Sequence, residues 1–461
     1  MFMASLRSRT AAGITPLACS ALLAVSLTAT TAAIADDCTP TWDAEFGLPG
    51  APSSIVFDFA EHNGELYAVG GFTSIGGVAA NRVARWNGNN WSALGSGLSN
   101  NEVYGVASFG GDLYVAGYFD SAGGTAGTAK LARWNGTTWQ SLGAQLDAFF
   151  NQLWGLTTWD DGNGEALYIA GNYVDIAGIP DASFITRYDG TTFSALGAPI
   201  GGNVPLIVFS VYPWDDGSGE ALYIGGRFLN VDGVPANRIA RWDGENWSAL
   251  GSGISGTPQA SSVMDMVAFD DGTGEQLYVA GQAFSSAGGE TALRVARWDG
   301  SSWSAVGDGF ADGIVWGLQV FDDGQGPSLY AFGTFTASGS TPLSRVARWN
   351  GTSWKSVGDG ANGAAYRAIA HDDGSGSAMY VGGAFTSIAG TPSNRIARLI
   401  PCERDGVLGD LNDDGVVNVF DLLILLGEWG PCADPNACPA DLNNSGGVDV
   451  FDLLLLLSNW G

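Results

Sequence analysis

Apolar and polar positions alternate along most of this chain in runs of four to eight residues, separated by glycine-rich turns. A period of two predicts strands with one face buried. The clearest run has the form L-Y-x-x-G-x-F and begins at Leu66, Leu113, Leu167, Leu222, Leu277, Leu329 and Met379. Each copy is followed by an R-x-A-R-W-[ND]-G run or a variant, starting at Arg82, Lys130, Phe184, Arg238, Arg294, Arg345 and Arg395. A shorter run then carries Trp91, Trp139, Phe193, Trp247, Trp303 or Trp354. The Asn-Gly or Asp-Gly between the last two runs is a strong hairpin signal. A further strand precedes each L-Y run, across turns such as Asp160-Asp161-Gly162. Helical periodicity is confined to the last part of the chain, at Val419–Leu423 and Val450–Leu454.

The repeat period of about 47 to 55 residues, with four strands per unit, is the length of a propeller blade. The pattern therefore predicts an all-β, seven-bladed β-propeller of four-stranded antiparallel blades over 36–402. Only six outer strands follow the R-x-A-R runs. Thr41-Trp42-Asp43-Ala44-Glu45-Phe46-Gly47 has the form of the seventh, which predicts velcro closure of the ring by the N-terminus.

Composition agrees with short strands and tight turns: of 461 residues, 14% are charged, 69 are Gly and 17 are Trp. Arg7 and Arg9, an apolar stretch from Pro16 to Ile34 and the triplet Ala33-Ile34-Ala35 read as a signal peptide over 1–35. The expected location is secreted or at the extracellular surface, with no membrane span after signal removal. Loss of Arg7 and Arg9 takes the net charge from −28 to −30. That excludes nucleic acid and anionic membrane as natural partners. Cys38, Cys402, Cys432 and Cys438 remain, and four cysteines in an exported chain suggest disulfides. Three pairings are open; the repeat favours Cys38–Cys402, which would lock the ring, and Cys432–Cys438.

Two twelve-residue segments, 410–421 and 441–452, place oxygen side chains at positions 1, 3, 5, 9 and 12. Calcium is a hard ion that wants six or more oxygens. The expected ligands are Asp410, Asn412, Asp414, Val416 (carbonyl), Asn418 and Asp421 in the first loop. Those of the second are Asp441, Asn443, Ser445, Gly447 (carbonyl), Asp449 and Asp452. Two Ca2+ ions are expected, the second more weakly held because Ser445 replaces a stronger ligand.

Two resemblances follow from these residues. Gly70-Gly71, Gly225-Gly226 and Gly382-Gly383, each with an aromatic on the next strand and a Trp after it, resemble a divergent kelch repeat, the family of the galactose-oxidase central domain. The loops, with Asp at position 12 and no helix before them, resemble type I dockerin repeats. That likeness implies a dockerin-like α-helical domain over 403–461, with Val419, Phe420, Val450 and Phe451 facing a cohesin-type protein module. It also implies a secreted, calcium-binding scaffold in extracellular polysaccharide recognition or breakdown. A polysaccharide or a surface protein is the expected propeller ligand, with Phe149 and Phe150 stacking on sugar rings. The alternative is a polysaccharide-degrading hydrolase or lyase with its site in the channel.

Catalytic signals are sparse. His62 and His371 are the two histidines and occupy blade-turn positions, which speaks against copper-radical or triad chemistry. Thirteen basic residues fall at two repeated positions, which indicates packing rather than one site. In the first strands, Phe57, Tyr104, Trp154, Phe209, Met264, Trp316 and Tyr366 form one column, expected in the blade cores. The next column faces a channel by alternation and is mostly small, except for Asp58, Asp265 and Arg367. Those three are the candidate catalytic residues, although enzymatic function is not the favoured reading.

Overall fold

The computed structural model describes residues 39–43, 52–143, 152–197, 200–202, 204–257, 259–402, 408–412, 416–432, 438–443 and 445–460. The expected signal peptide, Cys38, Phe149, Phe150 and Asp414 lie outside the described residues.

Seven four-stranded antiparallel sheets, here I to VII, follow one another in sequence. Their innermost strands are Val56–His62, Val103–Phe109, Leu153–Asp160, Ile207–Asp215, Ser262–Asp270, Val315–Asp322 and Ala365–Asp372. The L-Y run forms the second strand of each sheet and is almost wholly buried. The outer strand of sheet VII is Thr41–Trp42, paired with Ile400 and Leu399.

Hydrophobic clusters lie between consecutive sheets. One joins I to II, through Val69, Val83, Val103 and Phe119. Others follow around the chain, and a last one sets Val56, Phe59 and Phe72 of sheet I against Ala378, Tyr380 and Ile396 of sheet VII. The seven sheets thus pack side by side in cyclic order.

Polar staples reinforce the packing. In four sheets the outer-strand indole donates to the end of the preceding sheet: Trp139 to the Leu94 carbonyl, Trp247 to Leu196, Trp303 to Leu250 and Trp354 to Val306. The first residue of each R-x-A-R run, basic in six copies and Phe184 in the third, holds a left-handed backbone, with φ from 61° at Arg294 to 70° at Arg238. Its guanidinium reaches carbonyls of the next linker: Arg238 to Ile254 and Ser261, Arg294 to Phe310, Arg345 to Ala361. Arg395 does the same to Pro52, joining the last sheet to the first at 3.2 Å. The second arginine of the run pairs with an acid of its own sheet, as in Arg187–Asp161 and Arg348–Asp323. His62 is held by Ser108, and His371 by Glu61.

The expected fold, seven blades plus a helical dockerin-like domain, needs correction. Among the described residues the ladders fall into fourteen separate open sheets rather than seven, and none closes on itself. Side chains and a few backbone bonds, such as the Gln282–Ile314 bridge and Cys402 N to the Asp323 carbonyl, make the cyclic contact. Six of the seven further sheets, of two or three strands, form between connecting segments, and the seventh lies in the C-terminal segment. Ser74–Ile75 folds onto Val78–Ala79 across a Gly-Gly turn, and Ser387–Ile388 onto Thr391–Pro392. These short pairings have too few residues to show a period.

The C-terminal segment is not purely helical either. Helix α1 (Val419–Gly427) and helix α2 (Val450–Ser458) are joined by a small sheet, Gly430–Pro431 with Gly447–Val448. Val417 also bridges Trp460. Residues Cys38–Gly461 cluster as one compact unit.

Candidate functional site

Each of the seven innermost strands slips register once, at its second or third residue. One residue is extra at every slip, so seven β-bulges occur at equivalent positions. A bulge leaves its extra residue unpaired and re-aims the side chain. The extra residues are Phe57, Tyr104, Trp154 and Phe209 in sheets I to IV. In sheets V to VII they are Met264, Trp316 and Tyr366.

All seven converge on one central cavity of about 270 Å³, together with Glu102 and Arg367. Tyr104 and Trp154 stack at 4.1 Å with planes 7° apart. Phe57 lies 5.2 Å from Tyr104 and 5.0 Å from Tyr366, and Trp316 meets Tyr366 at 5.7 Å. The Tyr104 hydroxyl donates to Glu102 Oε2 at 3.0 Å. The expectation that this column belongs to the sheet cores is therefore corrected. Strict alternation fails at the bulge, so two successive columns approach the axis.

Asp58, Asp265 and Arg367, the candidate catalytic residues, are brought together beside this cavity. Arg367 pairs with Asp265 Oδ1 and donates from Nη2 to the Met264 carbonyl at 3.2 Å. The other Asp265 oxygen accepts from Leu318 N at 2.8 Å, and Asp58 Oδ2 accepts from Val106 N at 3.3 Å. Burial lifts the Asp58 carboxyl to about 6, with Arg367 pulling the other way. Burial also opposes the Arg367 charge, but Asp265 and Asp58 together hold its pKa above the ordinary arginine value. Asp265 is thus spent on an ion pair and a backbone amide.

Larger clefts of about 480 Å³ and 620 Å³ open beside sheet VI. Neither gathers a side chain from every sheet.

In the C-terminal loops, the position-12 carboxylates turn inward and are fully buried. Asp421 accepts from Leu411 N and Asn412 N with one oxygen and from Asn418 N with the other, at 2.8 to 3.2 Å. Asp452 accepts from Asn443 N at 3.1 Å and Asp449 N at 2.8 Å. Asn418 and Asp449 cap the two helices by accepting from Phe420 N and Phe451 N, which completes two capping boxes. Asp441 accepts from Ser445 N and Gly446 N. Ser445 Oγ donates to the Gly447 carbonyl, and the Asn418 side-chain amide to that of Val416. Among the described residues no group of three or more His, Cys, Asp or Glu could hold a metal, so calcium binding is not supported by a convergent acidic cluster. Oxygen is nonetheless the only donor type the loops offer, which suits a hard cation.

Val419, Phe420, Val450 and Phe451 are all at least half exposed. Cys432 and Cys438 form a disulfide. Cys402 is also disulfide-bonded, and its partner lies outside the described residues.

A family model described as "Domain of unknown function (DUF5122) beta-propeller" matches residues 379–401, within sheet VII and its linker. No curated protein matches. Two solved structures are described as the extracellular domain of BT4673 from B. thetaiotaomicron, a proposed one component system in one case and hybrid two component system in the other. They are 10% and 9% identical, with TM-scores of 0.43 and 0.45, and cover 77% and 78% of this chain. The chain spans 39% of the length of each.

The matching family model is neither kelch nor dockerin, which corrects the resemblance-based reading. Docking onto a cohesin-type module and polysaccharide recognition or breakdown, read from that likeness, therefore fall with it.

Proposed function

We propose that this is an exported ligand-binding protein whose binding site is the central cavity. The observation that carries the reading is the convergence of seven bulged side chains on one central cavity. A concave, mostly apolar site with a few convergent polar groups is what small-ligand binding requires. Seven bulges interrupt seven ladders, and such interruptions are characteristic of places where side chains are re-aimed for use. The two disulfide-bonded sites support an oxidising compartment, and so a secreted protein. Ca2+ at the two C-terminal loops is a further proposal, resting on donor chemistry alone.

The test is a thermal-shift screen of small molecules against wild type and Trp154→Ala. Compounds that raise the melting temperature of wild type but not of the variant support the reading. A screen in which every active compound stabilises both proteins equally contradicts it.

A further inference from the structure

We infer that the central cavity takes a small organic cation bearing an alkylated ammonium group. This inference rests on reading the cavity as a ligand site, and it names the class of ligand.

The walls come first. Aromatic residues from six sheets and the methionine of the remaining one surround the space. Ring faces carry negative potential and attract ammonium groups, and a thioether is soft and polarizable. Such a lining favours a cation whose own hydration is weak, as alkylation makes it.

The charges point the same way. Glu102 lines the cavity, and Asp58 and Asp265 lie beside it, against one lining guanidinium, Arg367. Arg367 is already paired with Asp265 and bonded to the Met264 carbonyl, which offsets its charge. Arg82 lies near Glu102 but outside the lining, with its guanidinium on the Leu98 and Asn101 carbonyls. Counting Arg82, negative charge still exceeds positive. An anionic ligand would meet Glu102 directly. A neutral apolar ligand would strip water from that carboxylate and return nothing.

A polyhydroxylated ligand is a poorer fit, since the Tyr104 hydroxyl and Glu102 already bond to each other.

Choline and its uncharged tert-butyl analogue have nearly the same shape and differ in charge. Titration calorimetry of the exported chain with both probes tests the inference. Choline should bind at least about tenfold more tightly than the analogue. Glu102→Gln should erase most of that preference. Equal binding of the two probes, or tighter binding of the analogue, overturns the inference. Benzyl alcohol separates this failure from failure of the cavity reading. If benzyl alcohol binds wild type and not Trp154→Ala while choline does not bind, the cavity stands and the cation falls. If no probe binds, the cation inference falls, and the cavity reading is judged by the thermal-shift screen.

Discussion

Arg367 of sheet VII passes sheet VI and pairs with Asp265 of sheet V. Gly317 lies between them, and a Cβ there would stand 2.4 Å from the Tyr366 carbonyl oxygen. The glycine is what lets the strands come this close at the axis. Removing one member of a buried pair strands the other charge, which costs about 3 kcal/mol or more. Arg367→Met and Asp265→Ala should each destabilise by about that amount, and the double variant by clearly less than the sum. Urea unfolding of the four proteins measures the coupling, and additive losses would mean that the pair is not formed.

Asp58 makes stability depend on pH in an uncommon direction for a carboxylate. Its folded pKa, about 6, lies above the ordinary aspartate value of 3.8. The folded state therefore binds the proton more tightly than the unfolded chain. This group's contribution is most favourable below the unfolded pKa and is lost as pH rises through about 6. Asp58→Asn should remove that penalty, so the variant gains about 3 kcal/mol over wild type at pH 7, and little of that gain remains at pH 4. Denaturant midpoints at the two pH values check the sign, and a gain confined to low pH would contradict it.

Arg238 combines a strained backbone with two useful hydrogen bonds. Its φ is 70°, and it serves the carbonyls of Ile254 and Ser261. Alanine would lose the bonds and keep the strain, whereas glycine would lose the bonds and relieve it. Arg238→Gly should therefore be more stable than Arg238→Ala by about 1 kcal/mol, against the usual order. Thermal unfolding of both variants decides it.

The C-terminal loops can be tested without reference to the ring. If they take Ca2+, adding the ion should raise the melting temperature and chelation lower it. Asp421→Ala should abolish the first-loop response, and rescue of the caps cannot mimic that ion dependence. An identical melting curve with and without the ion would end the proposal.

Much of the strand pattern was legible. The seven L-Y runs mark the buried second strands because Leu66, Tyr67 and their equivalents form short, continuously apolar runs that are buried on both faces. The R-x-A-R arginines were read as packing groups, and Arg187, Arg241 and Arg348 are paired within their own sheets. Asp58, Asp265 and Arg367 stood out as exceptions in a small-residue column and do meet. The cavity itself was not legible. Phe57 and Asp58 look like neighbours on opposite faces, and only the bulge between Val56 and Asp58 turns both inward. A column in which every copy is large, beside one in which nearly every copy is small, was the available signal. The extra sheets escaped notice because pairings such as Ile75 with Val78 are too short to carry a period. In the C-terminal loops, oxygen spacing looks the same whether a carboxylate faces an ion or caps a helix, as Asp421 and Asp452 do here.

The most direct measurement follows the methyl resonance of Met264 by NMR, assigned through Met264→Leu. Met264 lines the cavity, whereas Met266 and Met379 sit in the clusters between sheets. A compound selected by thermal shift should move the Met264 signal in a saturable way and leave Met379 in place. A saturating compound that moves other signals and leaves Met264 untouched would place the binding site elsewhere and contradict the account.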